Sequence, residues 1–512
     1  MTSSDNRSPL GQHHSASQIQ SQAAPAGPDP IPEKTMQWLT RLLLIYFGAR
    51  LVFLALSISS YVPPDEVTHA GICKVFSKVL LLPDNGPDTW QYGLVTNIPW
   101  LYYFAMGKLL LLNFFGLPDL VFLRLLNIPL AFGTAFYALK LCRLVTEDRL
   151  TRLLVLVMVT NAAMFSLLSS SVSYDNLANL FAAMAIYYLF AFFRFRSAGL
   201  LAASLLCQLG GALTKPTFLP LILVLVAVLV IHELRRPATS ILASLKEWLG
   251  GSPAKAWGWL FLILVAVLLN LQLYGGNYLR YGSPTPSMSS VLNPEAAMQY
   301  RMEARGMIFS QFKEGKLSYM DAVIKAGEIT HPGDKADTFR LLMNWQNLQQ
   351  NPGLWLSPSA YSWLWFKTMT GTILGIKAHL PMLKSPGYLV PVYLVMLLAL
   401  AGCVLRWRPT PSGWASAGMT VIVLFYAGFL MHEINWDAYQ NYGEPGITLY
   451  GRYLLPVIVP VYVLGSYYLL QLFRDQRVRL ALAAAVALLF ISYDFPWFLA
   501  HATPEWYSWL PR

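Results

Sequence analysis

Two prolines and two adjacent acids, Pro63, Pro64, Asp65 and Glu66, stand just beyond the first membrane-length apolar run, with His69 one helical turn further on. A carboxylate where a helix leaves the bilayer is costly to keep. One acid of such a pair can act as a general base while the other holds it, binds a metal or orients an acceptor. The plainer reading is an acid cap on a helix that starts after prolines, but capping needs only one acid. His69 falls on the face of Asp65, as its partner or as a polar group at the interface. A third acid, Asp175, lies in Tyr174-Asp175-Asn176. Alone it reads as another helix cap. Facing Asp65, it completes an acidic site for a divalent cation (Mg or Mn, held by Asp65 and Asp175) or an attacking hydroxyl.

A basic half accompanies these acids. Lys215 sits between two apolar runs with almost no loop around it, and Arg452 opens a late run through Gly451-Arg452-Tyr453-Leu454-Leu455-Pro456. Snorkelling toward headgroups is the simple account of both. The alternative is a lipid-linked phosphate, bound by Arg as a fork and by Lys as a point charge, with Tyr453 lining the same place. Arg124 is a further candidate phosphate or headgroup contact. Arg50, the one charge in a span centre, needs a polar cavity or a partner.

The elements that carry these residues are membrane helices. The chain has 512 residues, 55% hydrophobic and 12% charged, where a soluble domain has about a quarter charged. Its mean hydropathy is +0.46. Twelve apolar runs fall at roughly 37–60, 98–115, 119–145, 151–171, 177–195, 198–213, 217–233, 256–275, 386–405, 413–431, 453–472 and 478–495, each near the length of a span. The net charge of +11 comes mostly from short loops between runs, as orientation by inward-facing Lys and Arg requires. That excludes nucleic acid as the partner the charge serves. Four scattered cysteines imply neither a disulfide framework nor a zinc site.

Basic clusters at Arg143/Arg149/Arg152, Arg194/Arg196, Arg235/Arg236/Lys246/Lys255, Arg406/Arg408 and Arg474/Arg477/Arg479 can all face the cytoplasm only if the run at 98–115 does not cross. It is then interfacial or re-entrant, its Trp100, Tyr102 and Tyr103 serving as aromatic anchors. The expected fold is an all-α polytopic membrane protein with about eleven transmembrane helices plus interfacial ones, an internal N-terminus and an external C-terminus. Residues 1–35 read as a disordered cytoplasmic tail, without the layout of a cleaved leader. Residues 36–275 form an N-terminal transmembrane module with acidic external loops. Residues 276–385 form an external segment with interfacial helices, and 386–512 hold the remaining spans. All the unusual polar motifs collect on the outer side.

The acidic motif Pro63-Pro64-Asp65-Glu66 with His69, then Ser173-Tyr174-Asp175, Lys215-Pro216, Ser362-Trp363 and Gly451-Arg452-Tyr453-Leu454-Leu455-Pro456 together resemble the GT-C superfamily of membrane glycosyltransferases. That group includes protein O-mannosyltransferases, oligosaccharyltransferases and aminoarabinose transferases. Within it, these motifs look most like a bacterial membrane-protein family of unknown function. The resemblance implies a GT-C-like fold and transfer of a sugar from a polyprenyl-phosphate donor to an extracytoplasmic glycan, lipid or protein acceptor, in cell-envelope glycan synthesis. It implies that Asp65 activates or positions the acceptor, with Glu66 as neighbour, and that Asp175 is the second-loop acid. Some members of the superfamily use a metal and others do not. Two other classes remain compatible with the sequence: a transporter or flippase of lipid-linked glycans, and a non-catalytic envelope-assembly protein.

Overall fold

The computed structural model describes residues 31–235, 241–251, 253–298, 300–329 and 332–511. Residues 1–30 of the expected tail, and Arg236 of the third basic cluster, lie outside the described residues.

The first span, α1 (Glu33–Ser57), is followed by two short helices, α2 (Glu66–Lys78) and α3 (Leu101–Leu110). At 1.5 Å per residue α3 covers only about 15 Å, half a bilayer, so the run at 98–115 does not cross. Its aromatics do not anchor it to an interface, however. Trp100, Tyr102 and Tyr103 are buried in a core shared with α2 and α4 (Asp119–Val145). Next come α5 (Arg149–Thr160) and α6 (Ala163–Ser169), bent by 63° at Asn161-Ala162. α7 (Asp175–Phe195), α8 (Ala198–Ala212), α9 (Leu219–Leu234), α10 (Ile241–Gly251) and α11 (Pro253–Asn270) complete the first module. Helices Pro386–Arg406, Pro411–Phe429, Ile458–Gln471 and Gln476–Tyr493 complete the bundle. Among the described residues, nine helices are long and apolar enough to cross a membrane, and the bent α5–α6 pair makes a tenth. The 15-residue α8 is apolar but shorter than these, so the described residues give nine to ten candidate spans where about eleven were expected. The protein is an all-α, multi-pass membrane protein.

Contacts at the two ends of the bundle separate cleanly. At one end Arg149 meets Glu33, Arg479 meets Asp148, Arg196 meets Glu233, and Arg406 donates to the Leu472 carbonyl. These ties draw the basic clusters of separate loops together. At the other end the C-terminal segment is laced to the exit of α1: Ser59 donates to the Trp506 carbonyl and Ser508 to that of Ser57. The C-terminal segment therefore lies at the end of the bundle where α1 exits, away from the start of α1.

Between α11 and the last four spans, Arg301–Lys313, Tyr319–Gly327 and Pro332–Gln350 form a small helical cluster with its own core of Ile308, Phe309, Leu341, Leu342 and Trp345. Arg50 finds its partner in Asp494, 2.7 Å away, and also donates to Asn161 at the α5–α6 bend. Both members of the ion pair are buried, so this charge staples the last span to the first.

Close helix approach fixes the last module. A Cβ on Gly402 would stand 2.1 Å from the Tyr468 carbonyl oxygen of the neighbouring helix, whereas one on Gly428 meets nothing within 4 Å. Gly402→Ala is expected to destabilise the protein by about 1–3 kcal/mol, while Gly428→Ala stays within about 0.5 kcal/mol of wild type. Denaturant unfolding in mixed micelles checks this, and equal effects at the two sites contradict it.

Candidate active site

One face of α4 frames the site. Arg124 and Asn127, about one turn apart, project from it toward the first loop and the α6–α7 turn. Arg124 donates to both Glu66 oxygens, Nε to Oε1 at 2.9 Å and Nη2 to Oε2 at 2.5 Å, and through Nη1 to the Ala55 and Ile58 carbonyls at the exit of α1. Glu66 Oε1 also accepts from the backbone N–H of Val172. Asn127 accepts from Tyr102 and from Asn176, which in turn donates to the Leu168 and Ser171 carbonyls. Three loops are thus nailed to a single helix.

Asp65 stands next to this anchor and behaves differently. It precedes α2 in the left-handed region, at φ 60°, a conformation that Asp adopts more readily than most side chains. It makes no capping hydrogen bond to α2; instead Oδ2 accepts from Arg452 Nη2 at 2.8 Å. Its side chain is 43% exposed, against 8% for Arg452. The capping reading therefore fails, and the carboxylate faces outward. Burial pushes the Asp65 carboxyl up, but the Arg452 guanidinium, with His69 and His379, outweighs this and holds it at about 2.

Arg452 is placed by Gly451. The Gly451 N–H donates to Thr372 Oγ1 at 2.8 Å, and a Cβ there would lie 2.7 Å from that oxygen and from the Met369 carbonyl. Only glycine lets the turn Gly451–Val457 press onto helix Pro358–Leu374. Arg452 Nε is buried without a partner, although such groups are normally satisfied. Its guanidinium lies 5.4 Å from the Tyr453 ring centroid, and Lys215 Nζ lies 5.0 Å from the same centroid. Two cations share one aromatic ring.

Lys215 and Asp175 form the neighbouring pair. Both are buried; Lys215 Nζ donates to Asp175 Oδ1, and Ser173 Oγ donates to Oδ2. Asp175 is thus spent on Lys215 and Ser173 rather than on capping α7. His69 Nδ1 is 2.8 Å from Tyr103 Oη, and its ring stands edge-on to Tyr174 at 4.7 Å. Burial drives His69 down to about 4, opposed by Asp65 and Asp175 and aided by Arg452 and Lys215. All four charges therefore act on one imidazole.

The structure brings Asp65, Glu66, His69, Arg124, Asp175, Lys215, Arg452 and Tyr453 to one end of the bundle, with three carboxylates against three cations and no net charge. Two of these residues are not placed as the sequence suggested. Glu66 was expected to share in the chemistry and Arg124 to reach a phosphate or headgroup. Both side chains have 0% exposure and satisfy each other, because a buried carboxylate holds a guanidinium fork most firmly. Tyr103 and Tyr174 were not singled out for the site; Tyr103 lay in the aromatic run that read as an interfacial anchor, and Tyr174 was named only as the neighbour of Asp175 in its motif. Trp363 is 61% exposed and takes no part. A divalent cation at Asp65 and Asp175 does not fit the donor set. Each carboxylate already holds a basic side chain, and among the described residues no three His, Cys, Asp or Glu converge.

The sequence matches no protein-family model and no curated protein. Among solved structures, the chain is similar to ArnT from Cupriavidus metallidurans in the apo state, at 14% identity and TM-score 0.34 over 78% of each chain. ArnT bound to undecaprenyl phosphate gives the same identity and score over 90% of this chain and 78% of that one. The archaeal oligosaccharyltransferase AglB from Archaeoglobus fulgidus, in complex with an inhibitory peptide and a dolichol-phosphate, gives 12% identity and TM-score 0.45. That match covers 90% of this chain and 56% of AglB.

Two outcomes follow from this geometry. Glu66→Gln is expected to cost about 3–5 kcal/mol by leaving Arg124 buried and uncompensated, and Glu66→Gln/Arg124→Met to recover part of it. Equal losses in the single and double variants contradict the anchor role. His69 takes up a proton near pH 6.5 in the unfolded chain and near 4 in the folded one. The unfolded state therefore binds more protons in that window, and stability falls as pH drops from 6.5 toward 4. Unfolding midpoints measured against pH should lose that part of the slope in His69→Gln.

Proposed function

We propose that this protein is a membrane glycosyltransferase that moves a sugar from a polyprenyl-phosphate donor to a hydroxyl of an extracytoplasmic acceptor, in cell-envelope glycan synthesis. The observation that carries the proposal is the Asp65–Arg452 pair: an outward-facing carboxylate joined by one hydrogen bond to a buried guanidinium whose Nε has no partner. Such a pair supplies a base and an anion receptor within one contact. The motif resemblance to GT-C enzymes points the same way. The basic loops gathered at the opposite end support a site on the outer face.

The six charges of the resting site cancel, so an incoming phosphate must draw a cation from a carboxylate. Arg452 is the one poised to move, since its Nε is unspent and its partner is half exposed. When Arg452 turns to the donor phosphate, Asp65 loses the charge that lowers its basicity. The freed carboxylate then takes the proton of the acceptor hydroxyl, whose oxygen forms a bond to the anomeric carbon. The bond from that carbon to the phosphate oxygen breaks, and the electron pair leaves on polyprenyl phosphate, met by Arg452 and Lys215. A single displacement of this kind inverts the anomeric centre. Asp175 holds Lys215 in place, His69 stays neutral, and Glu66 with Arg124 positions the loop that carries Asp65.

Asp65→Asn in purified protein is expected to lower transfer from a radiolabelled polyprenyl-phosphate sugar by about 10²–10⁴-fold, with donor binding retained. Chelation by EDTA should leave the wild-type rate within about twofold, because the cations at this site are side chains. Full transfer by Asp65→Asn sinks the assignment of the base. A rate abolished by EDTA and restored by Mg or Mn sinks the assignment of Arg452 and Lys215 as the cations that meet the leaving phosphate.

A further inference from the structure

Beside Asp65 lies an aromatic pair that the chemistry above does not use. Tyr61 and His379 stack with ring centroids 5.3 Å apart and 27° between their planes. Both are exposed, Tyr61 at 58%. They come from segments more than 300 residues apart in sequence. His379 is presented by a closed turn in which Ile376 and Met382 exchange both backbone hydrogen bonds, and its own N–H donates to the Val62 carbonyl. Val62, Pro63 and Pro64 are buried, so the chain linking Tyr61 to Asp65 is held on its inner side. His379 is close enough for its charge to act on the Asp65 carboxyl. An exposed aromatic at a membrane surface is commonly a headgroup anchor. Here the ring lies against a histidine tethered to the loop of the candidate base, an arrangement that anchoring does not call for. Aromatic rings offer a rigid, amphipathic face at low entropy cost.

We propose that Tyr61 and His379 form the acceptor subsite and that the acceptor group is a pyranose, its C–H face on the Tyr61 ring and a hydroxyl directed at Asp65. This rests on the transferase reading and narrows its acceptor to a carbohydrate. The contact is made before any bond changes, so it is read by binding alone. The full-length protein in nanodiscs is probed by saturation-transfer NMR with methyl α-mannopyranoside, methyl β-glucopyranoside and methyl β-galactopyranoside. At least one should receive saturation chiefly on ring C–H protons. Tyr61→Ala should weaken that binding about threefold to tenfold, Tyr61→Phe should keep it, and Trp363→Ala, at an exposed aromatic outside the site, should leave it unchanged. Three results overturn the subsite: no glycoside binding to wild type, binding indifferent to Tyr61→Ala, or a Ser/Thr tripeptide binding in the same Tyr61-dependent way while the glycosides do not. Each leaves the transfer assay on Asp65→Asn to be judged separately, since saturation transfer needs no turnover.

Discussion

The buried fork between Arg124 and Glu66 is the constraint on which the site depends. It ties the exit of α1, the start of α2 and the turn before α7 to one face of α4, so three loops cannot drift independently. A buried ion pair is weak evidence for stability, since desolvation offsets most of its attraction. Its value here is register. With Glu66 locked, the neighbouring residue Asp65 is turned the other way, into a left-handed conformation that sends its carboxylate outward to Arg452.

Division of labour between adjacent acids explains why the motif carries two of them. Glu66 is fully committed to structure and Asp65 half open to solvent, although their residue types are equivalent. The same split separates the cations: Arg124 is saturated, while Arg452 keeps an unspent Nε. The buried Glu66–Arg124 pair holds the loop that carries Asp65, while Gly451, packed on Thr372, places Arg452. Asp175 and Lys215 extend the pattern, a buried pair beside the aromatic ring that Lys215 shares with Arg452.

Much of this was legible in the sequence. Apolar run lengths locate most of the spans, and the run at 98–115, which parity removes from their number, holds only the ten-residue α3. The acids, Lys215 and Arg452 could be picked out because charge beside a membrane span is expensive. What the sequence could not convey was pairing. Adjacent Asp65 and Glu66 look interchangeable until the third dimension sends one inward and the other outward. Arg50 called for a partner, but Asp494 lies 444 residues away, at the end of the last span. Tyr102 and Tyr103 read as interfacial anchors because an aromatic-rich amphipathic segment looks the same whether it meets headgroups or a protein core; burial against α2 and α4 decided it.

The central claim is that Arg452 exchanges a carboxylate for a phosphate, and the most direct measurement is a structure of the protein with a bound polyprenyl-phosphate sugar analogue that cannot transfer. The account predicts a phosphate oxygen within hydrogen-bond distance of Arg452, the Lys215 ammonium close by, and Asp65 released from the guanidinium toward open space. A phosphate bound at the opposite end of the bundle, or one seated at the outer end with the Asp65–Arg452 contact intact, contradicts it.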